Sequence, residues 1–111
     1  MGNYQKRNIS EALIVLKEHP LEIMTVKEWA RYMGYSRSHF CRCFKKEFGI
    51  SPKRKLRVFR LRLIRDELRK DPKAKGYKVA VNTGFDDDEA VYKYIVFHCQ
   101  MNLTEFKNHF L

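Results

Sequence analysis

The 111-residue sequence has no run of about 18 consecutive apolar residues, so it contains no candidate transmembrane helix. Its first residues, MGNYQKRNISEA, lack the apolar segment of a secretory signal. A glycine-rich phosphate loop, an H-E-x-x-H metal motif and a strand-turn-helix setting for a nucleophile are also missing. We therefore expect a cytoplasmic protein that is not an enzyme and needs no cofactor.

Cysteine is scarce, and the three that occur do not form a disulfide framework. Cys41, Cys43 and Cys99 are an odd number, which fits a reducing compartment. On a helix, Cys41 and Cys43 would point about 200° apart, so they are badly placed to chelate one ion. We predict no metal site, with Cys43 in the core and Cys41 on the surface. Redox sensing by the Cys41 thiol is the alternative.

Acidic residues are almost absent from the middle of the chain. Residues 36–65 contain eleven lysines and arginines against a single acid, Glu47, whereas residues 1–35 carry a net charge of +1 and residues 66–111 a net charge of −1. The whole formal charge of +10 therefore lies in thirty consecutive residues. Any one of these cations could be merely solvated, but a block of this density predicts an anionic partner.

What the sequence has instead is helical periodicity, which predicts an all-α fold of about seven helices. Thr25 begins a capping box, Gly34 is a typical helix end, and Ser36 is placed to cap the next helix, which Gly49 ends. A long helix then starts at Pro52. Its expected apolar stripe consists of Leu56, Phe59, Leu63 and Leu68, and Arg60 is either a phosphate ligand or a structural residue packed beside that stripe.

The second half of the chain weakly repeats the first. Ala80, Gly84 and Phe85 repeat the spacing of Ala30, Gly34 and Tyr35, and after one extra residue Val91, Tyr94 and Ile95 take the places of Phe40, Cys43 and Phe44. Asp86 is the expected N-cap of the later helix. We predict a single domain, residues 1–111, with two helix-turn-helix subdomains at 8–50 and 76–111 joined by a linker helix at 51–70.

Two segments carry a family resemblance. TVKEWARYMGYSRSHFCRCFKKEFGISP, followed by Arg60 and Leu61, resembles the first half of the DNA-binding domain of AraC/XylS-type transcription regulators, and VAVNTGF resembles the start of its second half. The resemblance covers residues 9–107. It implies a sequence-specific regulator of transcription in a prokaryotic cytoplasm, whose partner is double-stranded promoter or operator DNA and whose two recognition helices enter successive major grooves.

The same resemblance identifies candidate DNA contacts in the first recognition helix, at about residues 36–48. Arg42 is expected to read guanine, because its guanidinium can bond O6 and N7 together. Arg37, Ser38 and Cys41 share the groove-facing side, although Cys41 replaces a longer polar residue. Phosphate contacts are expected from Ser36, His39, Lys45, Lys46, Lys53, Arg54 and Arg57.

The second recognition helix, at about residues 87–98, departs from the family pattern. Val96 replaces a lysine, Gln100 a glycine and Leu103 a proline, while Gly76 replaces an apolar residue at the start of the preceding helix. The acids Asp87, Asp88 and Glu89 lie at the end that would enter the groove. They favour the helix dipole but repel phosphates.

Two interpretations of this half follow. Either Glu89 or Asp88 accepts a hydrogen bond from cytosine N4, or the helix engages DNA only weakly, which we favour. Tyr92 and Lys93 remain available to read bases. In the second case Val96 and Phe97 contact RNA polymerase or a regulatory protein, unless Phe97 belongs to the core. The alternative function is accordingly a protein-interaction module or co-regulator.

Overall fold

The computed structural model describes residues 5–111; residues 1–4, part of the segment in which no secretory signal is expected, lie outside this range. Every regular element in the described range is helical. A short 3-10 turn, Ile9–Glu11, is followed by α1 (Ala12–Glu18), α2 (Val26–Met33), α3 (Arg37–Phe48), α4 (Pro52–Lys70), α5 (Gly76–Thr83), α6 (Asp88–Cys99) and α7 (Leu103–Phe110). The prediction of an all-α fold with about seven helices is confirmed.

The chain divides into two compact units. The first ends at Leu56 and the second is Arg57–Leu111, so the boundary falls inside α4. Each unit contains one pair of helices joined by a short turn, α2–α3 in the first and α5–α6 in the second. The predicted division at residues 8–50, 51–70 and 76–111 remains a prediction.

Both ends of α2 are fixed by caps that were predicted from the sequence. The Glu28 N–H donates to Thr25 Oγ1 at 3.2 Å and the Thr25 N–H to Glu28 Oε1 at 2.9 Å, which forms the capping box. Gly34 ends α2 with φ of 78°, and a Cβ there would lie 2.7 Å from backbone atoms of Gln5 and Lys6. Both the left-handed backbone and the close approach therefore require glycine.

The core of the first unit is built around Trp29. Its indole is fully buried and its Nε1–H donates to the Ala12 carbonyl at 3.0 Å. The rings of Phe40 and Phe44 pack against it, with centroids 5.3 and 5.0 Å away. The buried face of α2 consists of Val26, Trp29, Ala30 and Met33, and the same core includes Ala12, Val15 and Leu16 of α1.

The second unit buries a charged residue in its interior. Arg60 is fully buried, its Nη2 donates to the Thr83 carbonyl, and its guanidinium lies 5.9 Å from the Phe85 ring centroid. The remaining core side chains are Ile64, Leu68, Val79, Ala80, Val91, Ile95 and Phe106. Of the alternatives considered for Arg60, the structural role is the one observed.

The predicted apolar stripe of α4 was partly wrong. The buried positions are Leu56, Arg60, Ile64 and Leu68, spaced four residues apart, whereas Phe59 and Leu63 are only half-buried. Counting apolar residues alone skipped Arg60 and so moved the stripe to a neighbouring face. An arginine can occupy the buried face because its stem is apolar and its head bonds a carbonyl.

The predicted repeat is realised in the caps and the core. Gly84 ends α5 with φ of 84°, and Val91 and Ile95 are buried as Phe40 and Phe44 are. The N-cap of α6 is Asp87, which accepts the Ala90 N–H at 2.8 Å, so the prediction of Asp86 was wrong by one residue. Asp87 has the extended backbone that an N-cap needs.

Candidate nucleic-acid interface

Helix α3 turns one face to the core and the opposite face to solvent. Its buried residues are Phe40 and Phe44, one helical turn apart. Ser36 caps the helix by accepting the His39 N–H at 3.2 Å, which commits the Ser36 hydroxyl to the helix end. The exposed side chains on the remaining surface are Arg37, Ser38, Arg42, Lys45, Lys46 and the single acid, Glu47. This arrangement presents a cationic and hydroxyl-bearing surface over the length of α3.

Arg42 lies at the centre of that surface. It is exposed, and among residues 5–111 no salt bridge or hydrogen bond occupies its guanidinium. Ser38 lies one turn towards the N-terminus, where a short polar side chain can approach a base edge. An arginine that is not held by a protein acid keeps both of its donor groups available for guanine.

Cys41 and His39 border the exposed face of α3 and are less accessible. Cys41 is half-buried, so its predicted surface position was only partly right, and Cys43 is also half-buried rather than fully in the core. His39 is half-buried against the Tyr35 ring, with centroids 5.1 Å apart. The short Cys41 side chain therefore has little reach beyond the helix surface.

Further cations follow α3 along the chain. Lys53 and Arg54 are exposed in the first turn of α4, where Ser51 Oγ accepts the Arg54 N–H at 3.2 Å. Arg57 is half-buried and belongs to the second unit. Within the described range, no salt bridge includes Lys45, Lys46, Lys53, Arg54 or Arg57. Cations without acidic partners are suited to phosphate oxygens.

Helix α6 has the same build as α3 but a different exposed chemistry. Its cap, Asp87, corresponds to Ser36, and counting from the caps places Asp88, Glu89, Lys93, Val96 and Phe97 where α3 has Arg37, Ser38, Arg42, Lys45 and Lys46. Where the first turn of α3 has an arginine and a serine, that of α6 has two acidic residues. Where the last turn of α3 has two lysines, that of α6 has two apolar residues. Lys93 alone keeps the sign of its counterpart.

Lys93 and Glu89 form a salt bridge, with Lys93 Nζ 3.1 Å from Glu89 Oε1. The sequence suggested the two residues as separate candidates for base reading. Their salt bridge was not predicted, although a spacing of four residues on one helix indicates such a pair. Both side chains are exposed, so the pair is weak. It nevertheless means that Lys93 has an acidic neighbour, which Arg42 does not have.

Tyr92 packs against the start of α5 and is half-buried. A Cβ at Gly76 would collide with the Tyr92 hydroxyl and with Cβ of Asp88. Glycine at position 76 therefore has a packing reason, since it leaves room for α6 to approach. Tyr92 contributes to the α5–α6 contact as well as being a candidate for base contact.

Phe97 is 75% exposed and Val96 52% exposed, which excludes a core role for Phe97. The ring that is sheltered in this part of α6 belongs to Tyr94, which lies 5.2 Å from Phe85 and 4.2 Å from His98. Burial raises the pKa of Tyr94 to about 12. Burial also raises the pKa of the Cys99 thiol.

Comparison with known proteins identifies the family. Residues 29–109 match the model of a helix-turn-helix domain family. The chain belongs to this family, in its AraC/XylS type. No relative was found among curated protein sequences. As an AraC-type helix-turn-helix protein, the chain is a sequence-specific, double-stranded DNA-binding regulator of transcription.

Solved structures share the fold. The DNA-binding domain of AdpA, a global transcriptional factor solved in complex with a target DNA, is 22% identical, covers 91% of this chain and 90% of its own, and gives a TM-score of 0.67. The C-terminal domain of AraT, a response regulator from Geobacillus stearothermophilus, is 17% identical, covers 91% of this chain and 84% of its own, and gives a TM-score of 0.71. A transcriptional regulator with an AraC-type DNA-binding domain from Chromobacterium violaceum is 21% identical, covers 91% of this chain and 89% of its own, and gives a TM-score of 0.65.

A metal site and a membrane span were also sought in the described range of this AraC-type domain. No group of three or more histidine, cysteine, aspartate or glutamate side chains there is close enough to hold a metal ion. No helix there is both long enough and apolar enough to span a bilayer.

Proposed function

We propose that α3 enters the major groove of operator DNA and that Arg42 reads a guanine. The observation that supports this most directly is the exposed Arg42 guanidinium, which has no salt-bridge or hydrogen-bond partner among the described residues and lies on the face opposite Phe40 and Phe44. Arg37 and Ser38 contact bases near the start of the helix, and Cys41 makes at most a short contact at the edge. A bidentate arginine contact provides about 1–3 kcal/mol of discrimination between bases.

The phosphate contacts that we propose surround this helix. Lys45 and Lys46 lie in the last turn of α3, Lys53 and Arg54 lie in the first turn of α4, and all four are exposed without a salt bridge among the described residues. Ser36, His39 and Arg57 are weaker candidates, because the first caps α3 and the other two are half-buried. Each cation that neutralises a phosphate releases close to one counterion, so binding should weaken steeply with salt.

We propose that α6 engages DNA weakly. Its first turn is acidic, Lys93 is paired with Glu89, and Tyr92 is packed against α5. The acids repel phosphates, and the exposed Val96 and Phe97 do not compensate for the loss of cations. Glu89 is the residue of this helix that would read a cytosine if α6 enters a groove.

The domain acts by occupying its site, without catalysis, in a prokaryotic cytoplasm. Residues 8–50 and 76–111 form its two subdomains and 51–70 the linker helix. Duplex DNA as the partner is supported by the AdpA domain, which shares the fold and was solved with a target DNA. RNA polymerase or a regulatory protein is a further partner, for which exposed Val96 and Phe97 are the candidate contact.

Selection of binding sites from random duplexes tests this division of labour. We expect one conserved block of bases that fits a single major groove, with at most a weak second block. Two equally conserved blocks one helical turn apart would contradict the weak engagement of α6. Absence of any enrichment, together with no binding to duplex DNA at low salt, would contradict the proposed role of α3.

A further inference from the structure

A cavity of about 200 Å³ lies between α4 and α7 in the second unit. It is lined by Val58, Leu61, Arg62 and Arg65 of α4 and by Phe106 and Phe110 of α7. The four residues of α4 share one helix face, next to the face that Arg60, Ile64 and Leu68 bury in the core. None of the six is among the proposed DNA contacts.

The walls of this cavity suit a compact apolar group. Val58 and Leu61 supply aliphatic surface, and the rings of Phe106 and Phe110 lie 4.8 Å apart. A cavity of about 150 Å³ lined by aliphatic and aromatic side chains holds a benzene molecule. The present cavity therefore has room for one six-membered ring and a short chain.

The charge at the cavity is positive and is only partly compensated. Arg65 Nε and Nη2 lie 3.1 and 3.0 Å from Asp66 Oδ1, so that arginine already has a carboxylate. Arg62 is exposed, and among the described residues no hydrogen bond or salt bridge involves it. Its stem lines the cavity, so its head can meet an anion at the entrance. A guanidinium binds a carboxylate through two parallel hydrogen bonds.

We propose that this cavity binds a small amphipathic carboxylate, with an aromatic ring between α4 and α7 and the carboxylate on Arg62. The size of the cavity selects a single ring, the apolar walls select against polar substituents, and the uncompensated Arg62 selects an anion over a neutral analogue. The inference goes beyond DNA binding and does not depend on the proposed role of α3.

The test is a two-dimensional NMR titration of the full chain with 3-phenylpropanoate and, separately, with the neutral 3-phenylpropan-1-ol. We expect saturable shifts confined to α4 and α7, and about tenfold tighter binding of the carboxylate, because a charge-assisted hydrogen bond adds to the same ring burial. Arg62→Gln should abolish this preference and leave the affinity for the alcohol unchanged. Lys73→Gln, an exposed change with the same loss of charge, should leave the preference intact.

A second variant tests whether the ring occupies the cavity. Leu61→Phe fills the space and should remove binding of both ligands, with an unchanged circular dichroism spectrum as the control for folding. Equal affinities for acid and alcohol in the wild type would overturn the proposal. Unsaturable shifts spread over the cations of α3 would overturn the proposal as well, since they would report only nonspecific condensation of anions. Carboxylate binding that survives Arg62→Gln unchanged would also overturn it.

Discussion

Helices α3 and α6 share their construction and differ in what they present to solvent. Each has twelve residues, follows a side-chain cap and buries two residues one turn apart, Phe40 and Phe44 in α3 and Val91 and Ile95 in α6. The exposed side of α3 is cationic, whereas that of α6 begins with acids and ends with bare apolar residues. A helix-turn-helix therefore constrains its caps and buried pair, and leaves its exposed face free to change partner.

The two units also differ in the polar group that each core contains. In the first unit it is the indole N–H of Trp29, a neutral donor to the Ala12 carbonyl. In the second it is the guanidinium of Arg60, a buried charge that donates to the Thr83 carbonyl. Because a buried charge needs several compensating contacts, the second core should tolerate substitution less well.

The largest effect should come from Arg60→Ala, which tests that difference between the cores. We expect the free energy of unfolding to fall by about 3–5 kcal/mol, because the change leaves a cavity and deprives the Thr83 carbonyl of its donor. Trp29→Phe, which keeps a large ring but loses the hydrogen bond to Ala12, should cost about 1–3 kcal/mol. Urea denaturation followed by circular dichroism measures both, and exposed Lys73→Ala is the control. A larger loss for Trp29→Phe than for Arg60→Ala would reverse the comparison.

Next in size is the contrast between Arg42 and its counterpart Lys93. Arg42→Ala should weaken specific DNA binding by about 10- to 100-fold, since it removes the proposed guanine contact. Lys93→Ala should change affinity by less than about twofold, because Lys93 is paired with Glu89 on a weakly engaged helix. Fluorescence anisotropy with a selected duplex measures both variants at one salt concentration. Equal losses would mean that both recognition helices read bases.

The ends of α3 and α6 provide a third contrast. Gly49 and Gln100 both have a left-handed backbone, with φ of 77° and 54°. Gly49→Ala meets no atom within 4 Å, so its expected cost of about 1 kcal/mol is backbone strain alone. Gln100→Gly should relieve such strain and stabilise the second unit by a smaller amount, about 0.5 kcal/mol after the entropy of glycine is counted. Denaturant midpoints would test this. Destabilisation by Gln100→Gly would show that the hydrogen bond from Gln100 Nε2 to the Phe97 carbonyl contributes more to stability than the backbone strain costs.

The acidic turn of α6 can be neutralised without disturbing its cap. Asp88→Asn combined with Glu89→Gln should tighten nonspecific DNA binding by about two- to fivefold at low salt, because it removes two negative charges and frees Lys93. Asp87 should be kept, since Asp87→Ala would lose the cap and about 1 kcal/mol of stability. Unchanged affinity in anisotropy titrations would place these acids away from the phosphates.

The last contrast concerns the stability of the protein at alkaline pH, and it has no effect near neutral pH. It depends on Tyr94 of α6, which corresponds to Cys43 in α3. Burial raises the pKa of Tyr94 from 10.0 to about 12, so the folded state keeps this phenol protonated when the unfolded chain has lost the proton. Its contribution to stability is complete below pH 10 and is lost as the pH rises from 10 to about 12. Tyr94→Phe should therefore reduce the loss of stability in this window. Identical alkaline profiles for the two proteins would contradict the assignment.

Much of the fold could be predicted because it depends on local signals. The capping box at Thr25, the glycine at position 34 and the cap at Ser36 act within a few residues, and each was read correctly. The cap at Asp87 was missed by one residue because three consecutive aspartates can each cap, and only the backbone path selects one. The candidate DNA contacts of α3 were proposed from residue type and position, and the structure adds that Arg37, Ser38, Arg42, Lys45 and Lys46 are exposed whereas His39 and Cys41 are half-buried.

Other features could not be predicted because they depend on residues distant in sequence. Arg60 meets the Thr83 carbonyl across 23 positions, and no local pattern indicates which side chain fills that space. The approach of Tyr92 to Gly76 and the exposure of Phe97 likewise depend on how α5 and α6 cross.

The sequence by itself determined most of the helix caps, the repeated glycine turns, and the concentration of positive charge in residues 36–65. Capping, periodicity and charge are properties of short stretches of chain, so a single sequence suffices to read them. Only the tertiary structure decided that Arg60 is a core residue, that Phe97 is exposed, and that a cavity lies between α4 and α7. Burial is a property of the packed helices, and packing depends on contacts between residues that the sequence keeps apart.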